Sequence, residues 1–306
     1  MPSEFQLIRR YFQRPTPSAI LGVGDDAALL QPSPGMQLAV STDMLVEGRH
    51  FRAGADPESL GHKALAVNLS DLAAMGATPR WATLALALPE ANETWIASFT
   101  RGFFALAQRF GTELVGGDTT RGPLCISITI VGEVPAGQAL LRSGARPGDD
   151  VWVSGELGGA AIGLAKPELA AATLRLERPE PRVVLGEKLR GVASAAIDVS
   201  DGFAQDLSHI LEASGVGALV RYDSLPKFPH ADAKLQRRCV LSGGDDYELA
   251  FTAPQEKRDA VAAIGAGLAL PLARVGSIGK GNPELAVLAA NGKRLKLERG
   301  FDHFAA

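Results

Sequence analysis

The sequence predicts a mixed protein of helices and strands, of the α/β or α+β class, built as two domains. Helix-like and strand-like segments alternate along all 306 residues, which is typical of these fold classes. A chain of this length corresponds to about two domains of roughly 150 residues each. A stretch rich in glycine, proline and charge, residues 135–150, separates the two halves. We therefore expect one domain over residues 1–145 and a second over residues 146–306.

The regular structure of the first half begins with a strand. Leu38, Val40 and Thr42 recur at every second position of residues 37–42, a strand pattern. Asp56 followed by Pro57 combines an N-cap with proline at the first helical position, which predicts a helix from Pro57 to about Met75. The other elements predicted in this half are a strand at 81–88, a helix at 93–110, a short strand at 113–115 and a strand at 124–134.

The second half repeats the alternation of strands and helices. A predicted strand at 151–154 runs into a glycine-rich turn at 155–159, and turns of this composition end regular structure. The other predicted elements are helices at 181–191, 203–214 and 256–264 and strands at 195–199, 217–222 and 247–252.

Composition and charge exclude several classes of protein. The net charge of −3 and the absence of a basic stretch argue against binding to nucleic acid. Cys125 and Cys239 form no CxxC pair, which argues against a zinc site and against a disulfide-built secreted domain. The chain begins without the apolar core of a signal peptide, and its longest uncharged apolar run, 261–273, is shorter than the roughly 18 residues of a membrane span. We expect a cytoplasmic protein without membrane contact.

The most informative feature is the recurrence of aspartates in short, turn-like motifs. Several of these motifs directly follow a predicted strand, which places carboxylates at strand ends, where ligands bind on α/β scaffolds. The six motifs are GDDAA at 24–28, STD at 41–43, LSDL at 69–72, GGDTT at 116–120, DVSDG at 198–202 and SGGDDYE at 242–248.

Grouped aspartates beside glycines suit the binding of magnesium and phosphate. Magnesium prefers oxygen ligands and usually takes a few carboxylates, leaving other positions to water and phosphate. A shared cation relieves the repulsion between carboxylates, and glycines allow backbone N–H groups to approach phosphates. Ordinary turn formation or helix capping is the simpler explanation of most of these motifs when each is taken alone. Six motifs with few cations beside them, and Asp71 inside an otherwise apolar predicted helix, favour a magnesium-nucleotide site.

Common motifs of other catalytic and nucleotide sites are missing from the sequence. It contains no GxxxxGK[ST] loop, no GxGxxG, no HExxH and no GxSxG, and the five histidines show no metal-ligand spacing. A nucleotide site in this chain must therefore be of another type.

Seven ordered motifs resemble those of the bacterial thiamine-monophosphate kinase family. They are GVGDDAALL, VSTDMLVEGRHF, KALAVNLSDLAAMGATP, LVGGDTTRGP, LLRSGARPGD, AAIDVSDGFAQDL and LSGGDDYELAF. The resemblance extends from about Glu4 to Phe304. It implies the two-domain fold of aminoimidazole ribonucleotide synthetase and its relatives, with N-terminal domains pairing in a homodimer as an inter-subunit β-barrel. It also implies an ATP cleft involving both domains and several Mg²⁺ ions.

The same resemblance implies roles for individual residues. The implied metal ligands are Asp26, Ser41, Thr42, Asp43, Asp71, Asp118, Asp198 and Asp201, with Thr42 acting through its backbone. The implied nucleotide-binding residues are Gly117, Asp118, Arg142 and Ser200, and the implied contacts to thiamine phosphate are His50, Asp245 and Phe301. The family often has Glu at the position of Asp245 and Tyr or Trp at that of Phe301, so the substrate pocket of this chain departs from the family pattern.

The implied reaction moves the γ-phosphoryl group of ATP onto thiamine monophosphate, giving thiamine diphosphate, the final step of its biosynthesis. Phosphoryl transfer depends on positioning and on charge neutralisation. A phosphate monoester has a second pKa of about 6 and is largely a dianion at neutral pH. It is already a nucleophile, so we expect direct in-line transfer with no general base and no catalytic side chain of that kind.

The same scaffold supports other activities, which make different demands on the sequence. A selenophosphate synthetase requires a reactive cysteine near the N-terminus, and no cysteine precedes Cys125. The related hydrogenase maturation factor requires a C-terminal cysteine, but the sequence ends in Phe-Ala-Ala. Aminoimidazole ribonucleotide synthesis, and a non-catalytic nucleotide or metal sensor, stay open. A purely structural dimerisation protein does not explain Asp71.

Overall fold

The computed structural model describes residues 3–298 and residue 300. The chain divides into two compact units. The first unit consists of Met1–Leu72 and Ala77–Gly137, and the second of Ala73–Gly76 and Gln138–Ala306.

The first unit contains one sheet and two long helices. Its elements are α1 (Glu4–Leu7), a π-helical turn (Ile8–Phe12), β1 (Met36–Val46), α2 (Pro57–Ala74, which ends in the second unit's Ala73–Gly76 segment), β2 (Thr78–Leu88), α3 (Glu93–Phe110), β3 (Glu113–Arg121) and β4 (Cys125–Pro135).

The sheet of the first unit has the strand order β1-β4-β2-β3. β4 pairs antiparallel with β1 and β2, and β2 pairs parallel with β3. Alternate side chains of β4 are fully buried, namely Ile126, Ile128 and Ile130, and the residues between them are partly exposed. Since successive side chains of a strand point to opposite faces, one face of this sheet is covered and the other is open.

α2 and α3 pack closely against each other. A Cβ added to Gly61 of α2 would collide with the Phe99 carbonyl of α3, and one added to Gly102 of α3 would collide with the Glu58 carbonyl. Two glycines facing each other therefore permit this packing. α2 also contacts the sheet, because the Asn68 amide oxygen accepts a hydrogen bond from the N–H of Asp43 on β1, at 3.2 Å.

The second unit is built on a larger sheet. Its elements are β5 (Asp150–Ser154), α4 (Gly159–Ala165), α5 (Ala170–Glu177), α6 (Val183–Leu189), β6 (Ala195–Asp198), α7 (Phe203–Ser214), β7 (Gly217–Arg221), α8 (Ala233–Ser242), β8 (Leu249–Ala253), α9 (Arg258–Leu268), β9 (Leu272–Gly279) and β10 (Leu285–Leu288).

The order of this six-stranded sheet is β10-β7-β9-β5-β8-β6. Asp198, the last residue of β6, pairs with Leu249, the first residue of β8. The loop that leaves β6 and the loop that enters β8 therefore meet at one end of the sheet. The side chains of Phe203 and Leu207 on α7 are fully buried in the same hydrophobic cluster as Val199, which fixes the helix behind the first of these loops.

The predicted mixed class is confirmed, and several predicted elements are found with changed limits. The predicted bounds of the 93–110 and 203–214 helices match those of α3 and α7. β1 and β3 extend beyond the predicted strands, to Val46 and Arg121. The elements that were not predicted are α1, the π-helical turn, α4, α5, α8, β9 and β10. The apolar run at 261–273 is divided between α9 and β9.

The greater length of β1 and β3 changes the placement of two aspartates. Asp43 and Asp118 were expected in turns at strand ends, but both lie inside strands. Their strands continue because β4 pairs with β1 over the whole length of β1 and β2 pairs with β3 as far as Arg121. Within the described residues, no helix is long and apolar enough to cross a membrane.

Candidate functional site

The first unit brings three predicted metal-site residues, Ser41, Asp43 and Asp71, to the covered face of its sheet. Ser41 and Asp43 alternate on β1 with the buried Leu45, so their side chains share its face. Asp43 pairs across the sheet with the fully buried Ile128, which confirms the face. Asp71 approaches from α2, where its carboxylate accepts a hydrogen bond from the Ser41 hydroxyl.

Asn68 completes the connection between α2 and β1. It lies three residues before Asp71, so both side chains project from one side of the helix. Its side chain is buried, accepts the Asp43 N–H and donates to the Ala64 carbonyl at 2.9 Å. Asn68 was not among the predicted site residues. Its position three residues before Asp71 in an apolar helix was the available signal.

Thr42 and Asp118 lie on the other, open face of the sheet. The Thr42 hydroxyl shares a 2.8 Å hydrogen bond with that of Thr129, so the Thr42 side chain is directed away from Ser41 and Asp71. Asp118 pairs with the exposed Ala85, which places its side chain on the open face as well. The side chains predicted as metal ligands in this unit are thus divided between two faces of one sheet.

Gly117 occupies a position that requires glycine. Its φ is +148°, a region that L side chains rarely adopt, and an added Cβ would collide with the Leu84 backbone. β3 therefore approaches β2 closely just before Asp118. A cavity of about 570 Å³ lies further along β3, lined in part by Thr119, Thr120 and Arg121.

The two remaining predicted residues of the first unit lie in loops. The Asp26 N–H donates to the neighbouring Asp25 carboxylate at 2.9 Å, and both side chains are exposed. The Nδ1 atom of His50 accepts the Val46 N–H at 2.9 Å. A neutral His50 therefore carries its proton on Nε2. The buried Lys63 donates to the His50 carbonyl at 3.3 Å and holds this loop against α2.

In the second unit, the loop after β6 wraps around a buried carboxylate. One oxygen of Asp206 accepts the N–H groups of Ser200, Asp201 and Gly202 at 3.0, 3.1 and 3.0 Å. Asp206 is only 2% exposed, and its burial, with the charge of Asp201, raises its pKa to about 7. The glycine-flanked loop was expected to offer these N–H groups to phosphate. They are already engaged by Asp206.

The loop before β8 is fastened to the same segment. The Asp245 N–H donates to the Ser200 carbonyl, and the Tyr247 N–H donates to the Val199 carbonyl, each at 2.8 Å. The Tyr247 hydroxyl donates to the Asp245 carboxylate at 3.0 Å. Asp245 has φ +67°, an uncommon conformation for a residue other than glycine. The predicted nucleotide residue Ser200 and the predicted substrate residue Asp245 thus lie on loops joined by backbone hydrogen bonds.

Two further acidic residues of the SGGDDYE motif have structural partners. The Asp246 carboxylate accepts the N–H groups of Gly158 at 2.6 Å and Ala160 at 3.4 Å, and burial raises its pKa to about 8. Glu248 is 1% exposed and pairs with Arg182, whose Nε lies 2.6 Å from a carboxylate oxygen. Both residues brace the end of the sheet where Asp198 and Asp245 lie.

Of the two remaining predicted positions, Arg142 and Phe301, only Arg142 lies within the described residues. Arg142 is exposed, and its carbonyl accepts the Ser214 hydroxyl at 3.1 Å. Leu141 beside it accepts the Ala196 N–H, so this segment lies next to β6. Phe301, predicted to contact the substrate, lies outside the described residues.

The donor set of each unit is compatible with Mg²⁺. Its members are carboxylate and hydroxyl oxygens, the ligands that magnesium prefers. Among residues 3–298 and 300, no group of three or more His, Cys, Asp or Glu side chains could hold a metal ion by itself. Magnesium usually takes one or two carboxylates and completes its shell with substrate phosphates and water. A site with few protein ligands is therefore better suited to magnesium bound together with phosphate than to a metal held by protein ligands alone.

Two family models match the chain in succession. The model for AIR synthase related protein, N-terminal domain, matches residues 24–134. The model for AIR synthase related protein, C-terminal domain, matches residues 146–287.

Similar proteins cover nearly the whole chain. Thiamine-monophosphate kinase of Salmonella typhimurium is 47% identical over 99% of this chain and 98% of its own length. A crystal structure of thiamine-monophosphate kinase from Stenotrophomonas maltophilia is 48% identical, with a TM-score of 0.84, covering 95% of this chain and 96% of that one. AaThiL, solved in complex with AMPPCP and TMP, is 30% identical, with a TM-score of 0.78, covering 90% of this chain and 89% of that one.

Proposed function

This chain belongs to the thiamine-monophosphate kinase family, and we propose that it transfers the γ-phosphoryl group of ATP to thiamine monophosphate, forming thiamine diphosphate and ADP. The observation that carries the proposal is the full-length similarity to kinases of this name. The related AaThiL was solved in complex with AMPPCP, an ATP analogue, and TMP, so that protein binds TMP together with a nucleotide that stands in for ATP.

Several Mg²⁺ ions are the proposed cofactors, and bound magnesium would neutralise charge between the two anionic reactants. In the first unit, the residues proposed to hold magnesium are Asp26, Ser41, Thr42, Asp43, Asp71 and Asp118. In the second unit they are Asp198 and Asp201. The hydrogen bond between Ser41 and Asp71 supports this assignment, because it orients the half-buried Asp71 carboxylate toward β1.

Nucleotide binding is proposed for Gly117, Asp118, Arg142 and Ser200. Ser200 takes this role through its hydroxyl, since its N–H already donates to Asp206. Substrate binding is proposed for His50, Asp245 and Phe301. His50 supports its assignment because a neutral ring with the proton on Nε2 presents a hydrogen-bond donor, which suits a phosphate oxygen.

We propose that transfer is direct and in line, without a general base. The acceptor phosphate is largely a dianion at neutral pH and needs no deprotonation, so this chain's residues bind and orient the two reactants. Mixing the protein with labelled ATP alone tests this step. A phosphorylated aspartate trapped under those conditions would show a covalent intermediate and reject the direct mechanism.

A homodimer formed through the open face of the first unit's sheet is also proposed. That face presents Leu38, Val40 and Met44 of β1, which are 44%, 62% and 56% exposed. A row of exposed apolar side chains on a strand is costly in water and is typical of an interaction surface. Pairing of this face with a second copy would form the inter-subunit barrel that the family resemblance implies.

The first test is ADP release from Mg-ATP, with and without thiamine monophosphate. We expect release that requires thiamine monophosphate and yields thiamine diphosphate. The Asp71→Asn variant should lose this activity while remaining folded. Asp259→Asn, at an exposed position of α9, is the control and should retain it. Failure of thiamine monophosphate to stimulate a folded, ATP-binding protein would reject the acceptor, and aminoimidazole ribonucleotide synthesis would be tested next.

A further inference from the structure

Asp206 is buried beneath the loop that carries two predicted ligand residues. One of its carboxylate oxygens accepts three consecutive backbone N–H groups, those of Ser200, Asp201 and Gly202, at 3.0 to 3.1 Å. Its own N–H donates to the Gly202 carbonyl at 3.0 Å. The carboxylate therefore occupies the concave side of the loop, in the place where an anionic ligand sits in other loops of this kind.

The surroundings leave this loop few other conformations. Gly202 has φ +126°, and an added Cβ would lie 2.9 Å from the Ser242 carbonyl carbon. Phe203, the next residue, is fully buried. Asp206 is four residues beyond Gly202 in the first turns of α7, where the helix dipole favours a negative charge. One carboxyl oxygen that accepts three consecutive backbone N–H groups is suited to fix the loop.

This arrangement decides how the loop can contact a ligand. Because these three N–H groups are engaged, ligand recognition by the loop falls to its side chains, namely those of Asp198, Ser200 and Asp201. The loop also accepts backbone hydrogen bonds from Asp245 and Tyr247. A shift of the loop would therefore move both the predicted nucleotide residues and the predicted substrate residue.

We propose that Asp206 is a positioning residue, which holds residues 198–202 so that the side chains of Ser200 and Asp201 are directed to the magnesium-bound nucleotide. The inference rests on the proposed function in naming that ligand. Asp206 itself is too deeply buried to contact substrate. Asp206 acts on the loop through three backbone amides. Its substitution should therefore change both the affinity for the ligand and the mobility of the loop.

The test compares Asp206→Asn and Asp206→Ala with the wild-type protein. Asparagine keeps the shape and one acceptor oxygen but lacks the charge, and alanine removes the acceptor. Residues that orient metal ligands typically contribute about 10- to 100-fold to metal affinity or activity. We expect the Mg²⁺ concentration for half-maximal rate to rise by about tenfold in Asp206→Asn and further in Asp206→Ala. Hydrogen exchange at the amides of 200–202 should accelerate in the same order.

Asp149 provides a matched control in the same unit. It is 4% exposed, accepts the Arg146 N–H at 2.9 Å and accepts the Ser194 hydroxyl at 2.6 Å. It lies at the opposite end of the sheet, beside Asp150, which pairs with Ala253. Asp149→Asn should lower the free energy of unfolding without changing the Mg²⁺ requirement or the exchange at 200–202.

Two results would overturn the inference. One is an unchanged Mg²⁺ requirement in both Asp206 variants, and the other is an equal increase of that requirement in Asp149→Asn.

A second experiment makes the same comparison without turnover, by measuring the binding of a non-hydrolysable ATP analogue with Mg²⁺ by calorimetry. If the wild-type protein fails to phosphorylate thiamine monophosphate, the proposed function fails. Weaker binding of the analogue by the Asp206 variants alone would then still support the positioning role, and equal binding by all of the proteins would reject it.

Discussion

The hydroxyl of Ser41 on β1 donates a hydrogen bond to the carboxylate of Asp71 on α2. The two residues are 30 positions apart in the sequence, and their contact joins a strand to the helix that covers it. The side chain of the next residue, Thr42, lies on the other face of the sheet and contacts Thr129. The neighbouring residues Ser41 and Thr42 therefore have different roles.

Ser41 and Thr42 form a matched pair for testing the metal site. We expect Ser41→Ala to raise the Mg²⁺ concentration for half-maximal ADP release by about tenfold, since it removes the group that orients the Asp71 carboxylate. Thr42→Ala should have little effect, because it keeps the backbone carbonyl through which Thr42 is proposed to act. An equal rise in the Mg²⁺ requirement of the two variants would contradict the different roles assigned to Ser41 and Thr42 on the two faces of the sheet.

The buried pair of Arg182 and Glu248 should contribute strongly to stability. The two side chains are 14% and 2% exposed. We expect Arg182→Ala to lower the free energy of unfolding by about 3–5 kcal/mol, since it leaves a buried carboxylate without its cation. Urea denaturation measures the change. Arg175→Ala is the control, because Arg175 and Glu156 are about equally and substantially exposed, at 43% and 42%, and the loss of a surface pair costs about 0–1 kcal/mol. Similar losses in both variants would contradict the expectation.

Asp246 should give stability a measurable pH dependence. Its pKa is about 8 in the folded protein, whereas an unfolded aspartate has a pKa of about 3.9. Between these values the folded state holds more protons than the unfolded state, so the contribution of this group to stability falls as the pH rises from about 4 to 8. Asp246→Asn removes this contribution.

Urea denaturation at pH 5 and pH 8 checks that expectation. The loss of unfolding free energy between the two pH values should be smaller in Asp246→Asn than in the wild-type protein. Parallel losses in the two proteins would show that the Asp246 carboxyl does not titrate over this interval.

The open face of the first unit's sheet should determine the oligomeric state. Val40 is 62% exposed in the centre of the proposed contact, and Val40→Lys places a charge there. We expect wild-type protein to have twice the 32.0 kDa mass of one chain in light scattering after size-exclusion chromatography, and Val40→Lys to be monomeric. Leu219→Lys is the control, since Leu219 is 42% exposed on β7 of the second unit. A monomeric wild type, or a dimeric Val40→Lys, would reject the proposed interface.

The sequence alone determined the family and those elements with strong local signals. α3 is one example, because Asn92 caps its start and Gly111, with φ +63°, ends it, and both residue types are recognisable from the sequence. The seven ordered motifs likewise identified the family without any structure. Local periodicity and capping depend on residues within a few positions of one another, so a linear sequence displays them directly.

Only the tertiary structure decided which side chains meet. Strand register placed Asp43 and Asp118 inside strands and on opposite faces of one sheet, and no local pattern encodes the pairing partner of a strand. The role proposed for Asp206 was also invisible in the sequence, where it is one more polar residue of an amphipathic helix. Its three backbone donors become visible only when the loop folds back over α7, because Asp206 lies four residues beyond the N-cap position Gly202, and only an acceptor at the N-cap itself is recognisable from residue type.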